Sequence, residues 1–130
     1  MVPFATRRIS EEADVIAPDG SEVRLLAVSE RGSMAHFRLP AGATSKPVRH
    51  RSVEELWFFT GGKGLMWRRL GEEEGTVAVA VGTSLSIPPG TSFQFRATGD
   101  SPLDAVAVTM PPWPGMAEAE LAEGIWPATV

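Results

Sequence analysis

Residues 42–62 read Gly-Ala-Thr-Ser-Lys-Pro-Val-Arg-His-Arg-Ser-Val-Glu-Glu-Leu-Trp-Phe-Phe-Thr-Gly-Gly, and residues 82–97 read Gly-Thr-Ser-Leu-Ser-Ile-Pro-Pro-Gly-Thr-Ser-Phe-Gln-Phe-Arg-Ala. Both stretches have the character of short strands closed by tight turns. Glu55 to Thr60 is rich in aromatics, and strand alternation puts Glu55, Trp57 and Phe59 on one face. Gly62 and Gly64 follow, where a hairpin needs residues that tolerate positive φ. Pro88 stops the strand that begins at Ser84.

The same rhythm extends outward in both directions. Turn signals recur at a spacing of roughly ten residues, which favours an all-β sandwich or barrel. They include Pro18-Asp19-Gly20, Arg31-Gly32-Ser33, Pro40-Ala41-Gly42, Gly99-Asp100 and the prolines at 111, 112 and 114. The intervening runs predict strands over 22–27, 34–39, 55–60, 64–70, 76–81, 84–88, 93–97 and 105–109. Only Met116 to Glu123 carries helix formers, with Pro114 before it and Gly124 after, so a short C-terminal helix is expected there. No repeat or linker interrupts the pattern, and residues 1–130 are expected to form a single domain.

Composition narrows the function classes. The formal net charge is −4, a poor match to the clustered positive field that nucleic acid requires. Arg49-His50-Arg51 and Arg68-Arg69 are too short to change that. The chain has no cysteine, which excludes disulfides, thiolate metal sites and a cysteine nucleophile. No segment approaches the ~20 apolar residues of a membrane helix, and the first residues lack the apolar run of a signal peptide. The expected location is the cytoplasm, with no membrane partner.

The two opening stretches, taken together, resemble the paired motifs of the cupin superfamily. The first runs Gly42, five residues, Val48, one residue, His50, four residues, Glu55, six residues, Gly62. The second runs Gly82, five residues, Pro88, one residue, Gly90, two residues, Phe93, three residues, Ala97. The resemblance implies a double-stranded β-helix, or jelly-roll, barrel. It also implies a divalent metal held by three histidines and a glutamate. Carried over by position, those ligands fall on Val48, His50, Glu55 and Phe93, so two of the four survive. Val48 and Phe93 offer no lone pair. No cofactor is therefore expected; a metal, if bound, would rest on His50 and Glu55 with other donors. A finer resemblance, carried by residues 48–57, 93–97 and 109–115, is to a subgroup of small bacterial cupins.

The candidate site follows from these positions. The motif turns the face of Glu55 inward, beside His50, and such a buried pair suits general acid–base work. Trp57 and Phe93 are expected to line the pocket. His36 and Arg38 share one face of their strand. If that face points inward they bind substrate, with Arg38 holding an anionic group; otherwise Arg38 meets solvent and His36 merely packs. Gln94 and Arg96 alternate with Phe93 and Phe95 and are expected to face away from the interior. The segment Thr109 to Gly115, stiffened by prolines around Trp113, either caps the barrel mouth or docks on a partner subunit.

Two functions fit. One is an isomerase, lyase or cyclase acting on a small organic molecule through His50 and Glu55, without metal or with an atypical one. The other is a non-catalytic barrel that binds or senses a small ligand. The resemblance adds the expectation of a homodimer, since cupins often pair.

Overall fold

A computed structural model describes residues 2–130. Eleven strands are seen among them: β1 (Val15–Ile16), β2 (Glu22–Val28), β3 (Ser33–Leu39), β4 (Val48–His50), β5 (Glu54–Gly61), β6 (Lys63–Leu70), β7 (Glu73–Ala80), β8 (Ser84–Ile87), β9 (Ser92–Ala97), β10 (Leu103–Met110) and β11 (Ala119–Leu121). They form two antiparallel sheets, ordered β1-β2-β3-β10-β5-β8 and β11-β4-β9-β6-β7. From β3 onward the chain passes from one sheet to the other at every step except the β6–β7 hairpin, which is the jelly-roll arrangement expected from the sequence. No helix among the described residues is long and apolar enough to cross a membrane.

The alternation of side chains builds the barrel. In β5, Glu55, Trp57 and Phe59 are buried while Leu56 and Phe58 are exposed. In β10, Leu103, Ala105, Ala107 and Thr109 are buried, and the residues between them are partly exposed. Register carries the inward row across the sheet, through Leu25, Ala35, Ala107, Trp57 and Leu85. Two alanines in that row leave room for the indole of Trp57 and for a space beside it. The opposite sheet contributes Val48, Met66, Phe93 and Phe95 to the same core. Full burial of one such side chain favours folding by about 1.5–3 kcal/mol.

The hairpin between β5 and β6 shows why its glycines are there. Gly62 has φ 73°, and an added Cβ would lie 2.2 Å from the Pro102 carbonyl oxygen. Gly64 serves a different purpose from the one expected. It keeps negative φ within β6, but its backbone runs so close to β9 that a Cβ would sit 2.1 Å from the Arg96 carbonyl oxygen.

The tail also departs from expectation in one respect. Helical geometry is limited to a 3₁₀ turn at Met116–Glu118. The chain then becomes β11, which pairs Ala119 with His50 and Leu121 with Val48. A helix of two turns is marginal alone, whereas the open edge of β4 offers unpaired backbone groups. Tertiary hydrogen bonding outweighs local propensity here.

Beyond β11 the chain crosses the outside of the second sheet and is clasped by Gln94. Its Nε2 donates to the carbonyls of Ser45 (2.9 Å) and Trp126 (2.8 Å), and its Oε1 accepts from the N–H groups of Ile125 (3.0 Å) and Trp126 (3.1 Å). The side chain is completely buried. Gln94 and Arg96 thus face away from the interior, and Arg96 lies over the Trp126 ring. Gln94→Leu keeps the volume but strands these four backbone groups. It is expected to lower the unfolding free energy by roughly 2–4 kcal/mol. Urea denaturation checks this, and an unchanged midpoint would show that the clasp contributes nothing.

Candidate functional site

The inward faces enclose a cavity of about 330 Å³ at one end of the barrel. Its walls are mainly apolar. Phe37 and Trp57 stack with ring centres 5.0 Å apart and planes 3° from parallel. Phe93 meets Trp57 edge-on at 6.0 Å. Trp113 comes over the cavity from the proline-stiffened segment, anchored where its N–H donates to Ser33 Oγ at 2.9 Å. That segment therefore caps the barrel mouth.

The polar groups of the cavity lie on β4, β5, β10 and the turn before β2. His50 is 6% exposed, and its ring sits edge-on to Phe93 and Trp113, each with centroids 5.2 Å away. Its buried Nδ1 has no hydrogen-bond partner. Glu55 Oε1 lies 3.6 Å from that nitrogen, too far for a hydrogen bond. Both Glu55 oxygens are engaged elsewhere: Trp57 Nε1–H donates to Oε1 at 3.1 Å, and the Thr109 hydroxyl donates to Oε2.

Burial decides the charge of this pair. Loss of water pushes the Glu55 carboxyl up, and the donors Thr109 and Trp57 only partly offset it. Loss of water also pushes His50 down, against the opposing attraction of Asp19 and Glu118. Burial thus shifts both groups toward their neutral forms, and at 3.6 Å they make no hydrogen bond.

Asp19 joins the cavity from the Pro18-Asp19-Gly20 turn. Its Oδ1 accepts from the Ser21 N–H (2.8 Å) and the Ser21 hydroxyl (2.6 Å). Burial raises its pKa above the ordinary carboxylate value, Ser21 works against the shift, and nearby Glu55 adds to it. Glu118 sits behind His50. Burial tends to raise it, but the N–H groups of Ser52 and Val53 and the Ser52 hydroxyl outweigh burial and hold it low.

The structure thus brings together His50, Glu55, Trp57 and Phe93, and it leaves out two of the sequence candidates. His36 and Arg38 lie on the outer face of β3, because Phe37 turns inward to stack on Trp57. There His36 Nε2 is 3.1 Å from Asp104 Oδ1, and the Arg38 guanidinium donates to both Asp104 oxygens, at 2.7 and 3.2 Å. Arg38 is therefore unavailable to hold an anion in the cavity. Sequence reasoning missed Asp19, whose Pro-Asp-Gly setting gave only a turn signal. It also missed Thr109 as the Glu55 donor, although the alternation of β10 was readable.

Residues 35–109 match the family profile described as Cupin domain. The chain is a cupin. It is 30% identical over 114 residues to an uncharacterized protein of Methanocaldococcus jannaschii, a match covering 81% of this chain and 88% of that one. Among solved structures, a double-stranded β-helix protein of Klebsiella pneumoniae superposes with a TM-score of 0.64 at 17% identity, covering 92% of this cupin and 91% of that chain. Oxalate decarboxylase from Bacillus subtilis gives 0.69 at 18% identity, with 82% of this cupin matched to 28% of that chain. At such identities the two structures speak for the fold alone.

The cupin metal does not fit these residues. Val48 and Phe93 stand at two ligand positions with no donor atom. Among the described residues no three His, Cys, Asp or Glu side chains converge with a geometry able to hold a metal ion.

The shifts set a pH signature. Folded Glu55 keeps its proton where the unfolded chain has lost it, so stability falls as pH rises above the ordinary carboxylate range. His50 acts oppositely: its pKa is lowered on folding, so stability falls as pH drops below the ordinary imidazole value. Glu55→Gln removes the first effect while keeping an acceptor for Trp57 and a group for Thr109. Its melting temperature relative to the native protein should therefore rise as pH climbs above the ordinary carboxylate value, and level off once the folded carboxyl ionises. A difference constant with pH would place Glu55 outside the pH response.

Proposed function

We propose that this cupin is a small-molecule enzyme that moves protons without a metal, in reactions of the isomerase, lyase or cyclase type, with His50 as the general base. The observation that carries the reading is His50, whose ring borders a cavity of about 330 Å³ and whose buried Nδ1 has no protein partner. That volume lies within the range of roughly 300–1,000 Å³ typical of small-molecule sites.

A neutral imidazole is ready to accept a proton at neutral pH. The imidazolium formed would be stabilised by Asp19 and Glu118, which both favour the charged ring. Glu55, its carboxyl pushed up by burial and fixed by Thr109 and Trp57, holds the shape of the site and offers a nearby acid. Trp113 and Phe93 limit water around the ring.

A second reading, a barrel that binds its ligand without turning it over, draws support from the double engagement of the Glu55 oxygens, which leaves that group a structural role. The two readings separate in one experiment. Small carbonyl compounds with acidic C–H bonds are incubated in heavy water, and deuterium uptake is followed by NMR. Uptake that falls by about 100-fold or more in His50→Gln, with the fold retained, supports the enzyme. Binding without uptake in the native protein favours the ligand-holding barrel. Uptake undiminished in His50→Gln removes His50 from the mechanism.

A further inference from the structure

The charged and polar groups of the cavity are strongly one-sided. Asp19 and Glu55 are buried carboxyls, and the His50 ring lines the same cavity. Among the described residues the one cationic side chain bordering the space is Arg7, which is solvent-exposed and lies on the chain before β1. Arg38, the guanidinium that would suit an anion, is bound to Asp104 outside the barrel. An anionic ligand would therefore be buried beside two carboxyls with no buried cation to meet it, which is strongly unfavourable.

A cation meets the opposite conditions. Asp19 Oδ1 is taken by Ser21, leaving Oδ2 without a protein partner. Each carboxylate oxygen can accept more than one hydrogen bond, so Glu55 retains capacity beyond Trp57 and Thr109. Asp19 and Glu55 thus place carboxyl acceptors on the wall of one cavity, and a primary ammonium carries three donors. The aromatic rings of Trp57, Phe93 and Trp113 add faces that attract cations, and they suit an apolar remainder of the ligand. We infer that the ligand of this pocket is a small, mainly apolar primary amine that binds as its ammonium ion, with Asp19 and Glu55 as acceptors. This inference rests on the small-molecule reading above and names its chemical class.

Binding of the cation drives off protons that burial holds on the carboxyls, so affinity is linked to pH. The titratable groups facing the site are Asp19 from the turn before β2, Glu55 on β5 and His50 on β4; Glu118 lies behind His50, and Arg7 lies at the mouth. Release of one proton makes binding about tenfold tighter per pH unit while the carboxyl is still protonated in the free protein.

The test uses three probes of one shape on the full chain: phenethylamine, phenethyl alcohol and hydrocinnamate, measured by calorimetry between about pH 5 and about pH 8. The amine is expected to bind tightest, to tighten as pH rises and to release protons, while hydrocinnamate binds weakest. Asp19→Asn and Glu55→Gln should each weaken the amine about tenfold or more and leave the alcohol unchanged. If either variant fails to fold, the probe series on the native protein decides alone. The alcohol or hydrocinnamate binding as tightly as the amine would overturn the amine assignment and leave the pocket reading standing. Absence of binding by all three would overturn both.

Discussion

Glu55 can occupy the interior of an aromatic barrel only because two donors meet its two oxygens. An unpaired carboxylate in such surroundings is prohibitively unfavourable, and even a neutral carboxyl loses stability if its hydrogen bonds are not replaced. Trp57 lies two residues along the same strand, so alternation alone brings its indole N–H to the same face. Thr109 is directly opposite on β10, in register with Glu55. The site is thus a product of strand pairing. A slip of one residue between β5 and β10 would remove Thr109 and turn Glu55 outward together.

The mouth of the barrel depends on the C-terminal third of the chain in the same physical way. Trp113 is held by Ser33, and the 3₁₀ turn beyond it places Glu118 against the N–H groups of Ser52 and Val53. β11 then pairs with β4, fixing the strand that carries His50. Gln94 clasps the remainder against the opposite face of β9, whose Phe93 lines the cavity. One strand, β9, therefore couples tail docking on its outer side to pocket shape on its inner side.

Much of the fold was legible because turns and alternation are local signals. Eight strands were predicted within a few residues of where they lie, and the pairing of His50 with Glu55 followed from motif spacing. What escaped was decided by tertiary contact. Residues 34–39 alternate cleanly, but alternation does not say which face is inside; Phe37 wins the interior over His36 and Arg38 because an aromatic stack on Trp57 is available. Met116 to Glu123 has helical propensity, yet it meets an open strand edge and yields to it. Asp19 looked like any turn aspartate, and only the folding of its turn against the barrel mouth gives it a role.

The substitutions at Val48 and Phe93 acquire meaning from this arrangement. Replacing two metal donors by apolar groups does more than subtract ligands. It dries the space around His50 and Glu55, and drying shifts each toward its neutral form. The His50 ring is left with an unpartnered Nδ1, and burial pushes the Glu55 carboxyl up. Burial pushes the Asp19 carboxyl up as well. The negative charge latent in the two carboxyls still calls for a positive partner, and with Val48 and Phe93 in place of donors an organic cation meets that demand better than a bare metal ion. The apolar walls that exclude the metal are the same ones that would hold the carbon skeleton of an amine.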